Sequence, residues 1–263
     1  MGSATREALA GARAQLASLG RASLPVAEDL LAADRVIAAT SQLRSALTDV
    51  EVDAPQKLVL VETVFGGRIA AEAVTLLAAA ATNRWSSTSD FLAGVEELGI
   101  RAATLAAGDV EVDAELFAFE RTVATDAELE LALGSKLGPV GAKAKLVEQL
   151  LDGKASAATV AIVRHLVLSP RGRRIGQMLR HAAAIVADER GFDVATVTSA
   201  VPLSSTQLAR LGDSLSAQAG RRIRFDTIVD PAVVGGVRVQ IGDDVIDGSV
   251  ASRLSQLRQQ LAG

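Results

Sequence analysis

Apolar positions recur every three to four residues over residues 3–108, the spacing of one helix face turned toward a core. Leu9, Ala12, Leu16 and Leu19 form one stripe, and Val26, Leu30, Ala33 and Ile37 form a second. Asp53 followed by Pro55 predicts a helix start, because Asp caps free amide groups and Pro fits the first turn. Leu58, Val61 and Phe65 then share a face, and Gly66-Gly67 ends it. Val74, Leu77 and Ala81 continue the pattern, followed by Phe91, Val95 and Leu98 after a break at Ser86-Ser87-Thr88-Ser89-Asp90.

The period changes in the last third. Val194 to Val201 reads as a strand, and Ser204 with Gln207 makes a capping box for a helix carrying Leu208, Leu211 and Leu215, ended by Gly220. Ile223, Phe225, Thr227 and Val229 alternate with polar neighbours until Asp230-Pro231, where Pro lacks a ladder donor. Beyond Gly235-Gly236, Val237, Val239 and Ile241 alternate again, Gly242-Asp243-Asp244 turns the chain, and Val245-Ile246 forms a short third piece. Ser249 caps a final helix with Val250, Leu254, Leu257 and Leu261 on one face.

Sliding the sequence by 86 residues reveals an internal repeat. Leu43 falls on Leu129, Lys57 on Lys143, Leu60 on Leu146, Glu62 on Glu148, Gly67 on Gly153 and Val74 on Val160, without a gap. The expected architecture is mainly α: an N-terminal helical bundle (1–108), a second duplicated helical unit (109–191), and a small C-terminal α/β domain (192–263) with a short mixed sheet.

Composition narrows the function. Hydrophobic residues make up 49% of the 263 residues and aromatics only 3%, so the core is built from Ala, Leu and Val. The net charge of −4 supplies no basic field for nucleic acid, and few aromatics are available to stack on bases. There is no cysteine, hence no disulfide and no thiolate metal site. The start of the chain lacks the basic and apolar pattern of a signal peptide, and the apolar stretch Ala73 to Ala81 is far too short to span a bilayer. Membrane association is therefore expected only through partners.

Candidate chemistry is sparse. His165 and His181 have no neighbouring ligand set in sequence and read as helix histidines, packed or facing solvent. Gly134 to Lys143 fails the phosphate-loop spacing and reads as an inter-helix turn with Pro139 opening the next helix. Gly235-Gly236 fits a strand bend rather than a ligand cradle. Arg171, Arg173, Arg174 and Arg180 form one basic cluster, read first as a solvated helix face and second as a docking surface for an acidic partner. No catalytic, cofactor-binding or metal-ligating residue is expected, which makes an enzyme the weakest reading.

The run from Ile223 to Gly242, followed by Val245-Ile246-Asp247-Gly248-Ser249 and Arg253-Leu254, resembles the carboxyl-terminal signature of the delta subunit of F-type ATP synthase, whose mitochondrial counterpart is the oligomycin-sensitivity-conferring protein. Its structural signature falls on Asp230, Gly235, Gly236, Gly242, Asp247, Gly248, Ser249 and Arg253. The extra helical repeat resembles the expanded form of actinobacterial relatives. The resemblance implies a non-catalytic stator subunit, present once per complex at the cytoplasmic face of the cell membrane. In it the N-terminal bundle would receive the N-terminal helix of an α subunit and the C-terminal domain the end of the b stalk. The competing reading is a helix-binding adaptor scaffold unrelated to ATP synthase.

Overall fold

A computed structural model of the chain describes residues 2–134, 140–233, 235–242 and 244–248. The chain divides into two compact units, Met1–Val186 and Ala187–Gly263.

The first unit is helical. Its elements are α1 (Ser3–Ser18), α2 (Leu24–Ala39), α3 (Ser41–Thr48), α4 (Ala54–Phe65), α5 (Ala71–Thr82), α6 (Thr88–Ala107), α7 (Val112–Thr125), α8 (Ala127–Gly134), α9 (Val140–Leu151), α10 (Ala157–Leu168) and α11 (Ile175–Glu189), the last running just past the unit boundary. The expected stripes are buried at Leu9, Leu16, Leu30, Ile37, Val61, Phe65, Leu77, Phe91, Val95 and Leu98. The expected starts hold as well: Asp53 accepts a hydrogen bond from the Gln56 amide, and Ser87 from that of Asp90. Leu19 and Val74 are only half-buried, and Leu58 departs furthest from its stripe at 45% exposed.

Helix α6 is the centre of this unit. Residues from Phe91 to Thr104 are buried almost without interruption, so the helix has no solvent face over most of its length. Two glycines make that possible: a Cβ on Gly99 would press into the Leu31 side chain of α2, and one on Gly94 would collide with the indole of Trp85. Small residues let neighbouring helices approach where larger ones would hold them apart.

The 86-residue repeat is visible in the helix boundaries. α3 and α8, α4 and α9, and α5 and α10 each begin and end 86 residues apart, and so do the last residues of α2 and α7. Shifted by the same interval, α1 falls within α6. The packing agrees, since α5 lies on α1 as α10 lies on α6. Helix α6 therefore closes the first set of six helices and opens the second. A tertiary hydrogen bond repeats too. Asp29 Oδ2 on α2 accepts from the Ala70 amide at the start of α5 (2.8 Å), and its counterpart Glu115 Oε2 on α7 accepts from the Ser156 amide at the start of α10 (3.0 Å). Both helices follow a glycine at positive φ, Gly67 (68°) and Gly153 (65°).

The second unit contains β1 (Phe192–Ser199), α12 (Ser205–Ala219), β2 (Arg222–Val229), β3 (Val237–Ile241) and β4 (Asp244–Asp247). Strand order is β2-β1-β3-β4, with β1 and β2 parallel and the other pairs antiparallel, which makes the short mixed sheet expected from the alternation. The parallel pair is possible because α12 supplies the crossover. That helix opens on the Ser204–Gln207 capping box and ends at Gly220 in the left-handed conformation. Ala195, Val197, Val239 and Leu215 form the core, with Leu211 and Phe225 packed against it. The expected final helix with Ser249, Val250, Leu254, Leu257 and Leu261 lies outside the described residues, as does the turn at Pro139.

The paired caps have matched consequences. Asp29→Ala and Glu115→Ala should each lower stability by about 1–2 kcal/mol, the loss typical of an N-terminal cap. Glu115→Ala should be the worse, because Glu115 Oε2 also accepts from the Ser156 and Thr159 hydroxyls. Urea unfolding of the two variants checks both the size and the order.

Candidate functional site: a helix-accepting groove and a buried ionic joint

The first repeat presents an open apolar groove of about 570 Å³ between α4 and α5, with Gln15 of α1 at its edge. Leu58, Val59 and Glu62 form one wall, and Val74, Thr75, Ala78, Ala79 and Thr82 form the other. Leu58 and Val59 are 45% and 66% exposed. The missing burial of Leu58 is thus explained: its face of α4 turns into the groove rather than into the core. Small residues on α5 leave room for a helix to approach.

The same surface in the second repeat is different. Leu58 and Val59 are replaced at the 86-residue interval by Ala144 and Lys145. Thr75 is exposed and Ala79 half-buried, whereas their counterparts Ala161 and His165 are buried. Helix α2 of the first repeat packs on α10 there, and its Glu28 faces Glu148, Val160, Ala161 and Arg164. One repeat thus presents an open groove, and the other has much of its equivalent surface covered from within the chain.

The contact that covers it is ionic at its centre. Asp34 of α2, Glu96 of α6 and His165 of α10 are all buried, and Arg171 and Arg173 reach them from the turn after α10. Arg173 grips Glu96 with both ends of its guanidinium (2.6 and 2.7 Å), and Arg171 adds a further hydrogen bond to Glu96 Oε2. Arg171 also touches Asp34 Oδ1 at 3.5 Å. His165 Nε2 lies 3.2 Å from Glu96 Oε2 and 3.4 Å from Asp34 Oδ2, while its Nδ1 is 3.0 Å from both the Leu31 carbonyl and Arg35 Nη1. Arg171 itself sits at a positive φ of 47°, a strained conformation held by these bonds.

The two carboxylates are driven in opposite directions. Burial would raise Glu96, but hydrogen bonds from Arg173 and His165 and the nearby guanidinium charges hold it well below the usual range. Burial dominates at Asp34 and pushes it up from 3.8 to about 6, against the lowering effect of Arg171. The ligand atoms of Asp34, Glu96 and His165 all lie within 4.8 Å of one another, a spacing that a metal ion could bridge. The charges do not suit one, because guanidiniums already occupy both oxygens of Glu96 and one of Asp34.

Three of the four clustered arginines therefore do not form a solvated helix face, while Arg174 is exposed. Arg171 and Arg173 hold buried carboxylates, and Arg180 pairs with Glu120. Asp34 and Glu96 were missed by sequence reasoning, although a signal was present. Asp34 stands four residues after Leu30 and three before Ile37, on a stripe whose other members are core residues. A charge on a buried stripe calls for a partner.

In the second unit, Asp230 follows β2 and its Oδ1 accepts from the Ala232 amide (2.9 Å). Gly235, Gly236 and Gly242 take positive φ values of 67°, 79° and 58°, as strand-connecting turns require. The Gly248 amide donates to the Val237 carbonyl (2.9 Å), so the chain after β4 lies against the start of β3. Asp247 is exposed at the end of β4, while Ser249 and Arg253 lie outside the described residues. Asp230, Gly235, Gly236, Gly242 and Gly248 lie in or beside the turns of the sheet, whereas the groove and the ionic joint belong to the helical unit.

Removing one member of a buried pair usually costs roughly 3–5 kcal/mol, because its partner is left buried and uncompensated. Arg173→Met should lower stability by about 2–4 kcal/mol, since Arg171 still reaches Glu96. Adding Glu96→Leu should recover part of that loss, and urea midpoints of the single and double variants check it.

The profile of the family described as "ATP synthase delta (OSCP) subunit" matches residues 100–261. Similar curated proteins carry the name "ATP synthase subunit delta". One from Leifsonia xyli is 55% identical over all of both chains, and one from Streptomyces griseus is 39% identical over all of both. Among solved structures, one chain from "Cryo-EM structure of Toxoplasma gondii mitochondrial ATP synthase hexamer, composite model" is 22% identical with a TM-score of 0.42, covering 64% of this chain and 97% of its own. The chain belongs to the ATP synthase delta (OSCP) subunit family.

Proposed function

We propose that the chain is a peripheral-stalk (stator) subunit of F-type proton-translocating ATP synthase, joining the catalytic head to the b stalk so that rotor torque is spent on ATP synthesis. Family membership across the full length of close relatives carries this reading. The chain works as a non-catalytic coupling, one copy per complex, on the cytoplasmic face of the cell membrane and bound to it only through the complex. No helix among the described residues is long and apolar enough to cross a membrane, in keeping with attachment through partners.

The physical task is permanence of contact rather than a lowered reaction barrier. Helix-in-groove binding suits it, because an amphipathic helix buries a continuous apolar stripe while its polar face stays in water. The N-terminal helix of an α subunit is assigned to the α4–α5 groove of the first repeat. The family profile begins at residue 100 and so covers the second repeat and the α/β unit. Groove chemistry favours the first repeat nonetheless: it keeps Leu58 and Val59, while the second has Ala144 and Lys145 and is partly covered by α2. The α/β unit is assigned to the carboxyl-terminal region of the b stalk. Exposed apolar side chains on its strands support this, at Ile228, Val229, Val245 and Ile246.

Calorimetric titration of the full chain with a peptide of the α-subunit N-terminal helix tests the assignment. Leu58→Asp with Val59→Asp should weaken binding at least tenfold, because charge replaces exposed apolar contact, with the far-ultraviolet circular dichroism unchanged. Ala144→Asp with Lys145→Asp should leave affinity within twofold. The opposite ranking would move the head-binding site to the second repeat.

A further inference from the structure

The ionic joint contains one atom whose bonding is incomplete. Asp34 Oδ2 is buried and has no hydrogen-bond partner among the described residues, although His165 Nε2 stands only 3.4 Å away. A buried carboxylate oxygen left in this state is costly unless something neutralises it. We propose that Asp34, where α2 packs on α10, is a proton-binding site which tightens the packing of the two helical repeats when the surroundings become mildly acidic.

The chemistry balances within the side chains present. A proton taken from solvent binds to Asp34 Oδ2, 3.4 Å from His165 Nε2, and removes the charge of a buried carboxylate oxygen that no hydrogen bond satisfies. Loss of that charge relieves the contact of α2 with α10, where Asp34 faces His165. Every packed element contributes to the surroundings of the pair: Arg35 from α2, Glu96 from α6, and Arg171 and Arg173 from the turn after α10. Glu96 is already saturated by guanidiniums and serves as the fixed negative charge, which leaves Asp34 to accept the proton.

The direction follows from linkage. Asp34 is raised from 3.8 to about 6 by burial, so its ionised form weighs against the folded state above about pH 6, and that burden lifts as pH falls from 6 toward 4. Glu96 acts oppositely: its ordinary value is 4.5 and it is depressed in the fold, so its stabilisation is complete above that pH and is lost only below it. Between about pH 5 and 8 the Asp34 effect is therefore isolated from that of Glu96.

The test uses the full chain and its one tryptophan, Trp85, which packs over Gly94 of α6 and reports on the helical unit. Urea unfolding followed by Trp85 fluorescence should show the wild-type midpoint rising relative to that of Asp34→Asn as pH is lowered from about 8 to 5. In Asp34→Asn an amide N–H2 can replace the protonated oxygen, so its midpoint should lie above the wild type at pH 8 and change less with pH. The side-chain carboxyl carbon of Asp34, followed by NMR in the wild-type chain, should titrate near pH 6. Parallel pH profiles for the two proteins, or a carboxyl titrating near pH 4, would overturn the proposal. A midpoint raised by one equivalent of Zn²⁺ at pH 8 in the wild type but not in Asp34→Asn would also overturn it, in favour of a metal site.

Discussion

A helix with almost no solvent-facing surface depends on its neighbours for every contact it makes, and α6 is that helix. It completes the first set of six helices and begins the second, so neither repeat has a full core without it. This explains why the duplication produces one compact helical unit rather than two units joined by a linker. Its demands reach the sequence directly. Gly94 and Gly99 are needed because Trp85 and Leu31 occupy the space a side chain would fill, and Glu96 must be neutralised by guanidiniums brought from beyond α10.

The same arrangement separates the roles of two surfaces that began alike. Packing of α2 on α10 buries Ala161 and His165, whereas Thr75 and Ala79 of the first repeat remain accessible. Duplication has thus turned one groove inward, where it helps hold the unit together, and left the other available to a partner. For a stator that division is useful, since torque passing between head and stalk must cross the inside of this chain as well as its interfaces. A joint made of buried, multiply hydrogen-bonded charges is directional, and it resists sliding better than apolar contact alone.

Much of this was legible in the sequence because the periodicities are clean. The stripes through Leu30 and Ile37, the Asp53 cap, the Ser204–Gln207 capping box and the alternation from Ile223 to Val229 each correspond to an element found in the fold. The 86-residue interval anticipated helix boundaries to the residue in three pairs. What stayed hidden was tertiary. Leu58 shares a stripe with Val61 and Phe65, and only packing reveals that its side faces a groove. Arg171 and Arg173 resemble solvated charges until Asp34 and Glu96, more than 70 residues away, are brought beneath them. The sharing of α6 was equally invisible, because α1 and α6 have the same place in the repeat but little local sequence to say so.

The central claim is that this chain couples head to stalk mechanically and does no chemistry itself. Membrane vesicles stripped of the chain and rebuilt with it test that most directly, with proton-driven ATP synthesis and ATP hydrolysis measured in parallel. The account expects synthesis to collapse on removal and to return with the wild-type chain, while hydrolysis by the detached head persists throughout. Undiminished synthesis in vesicles fully lacking the chain would contradict it.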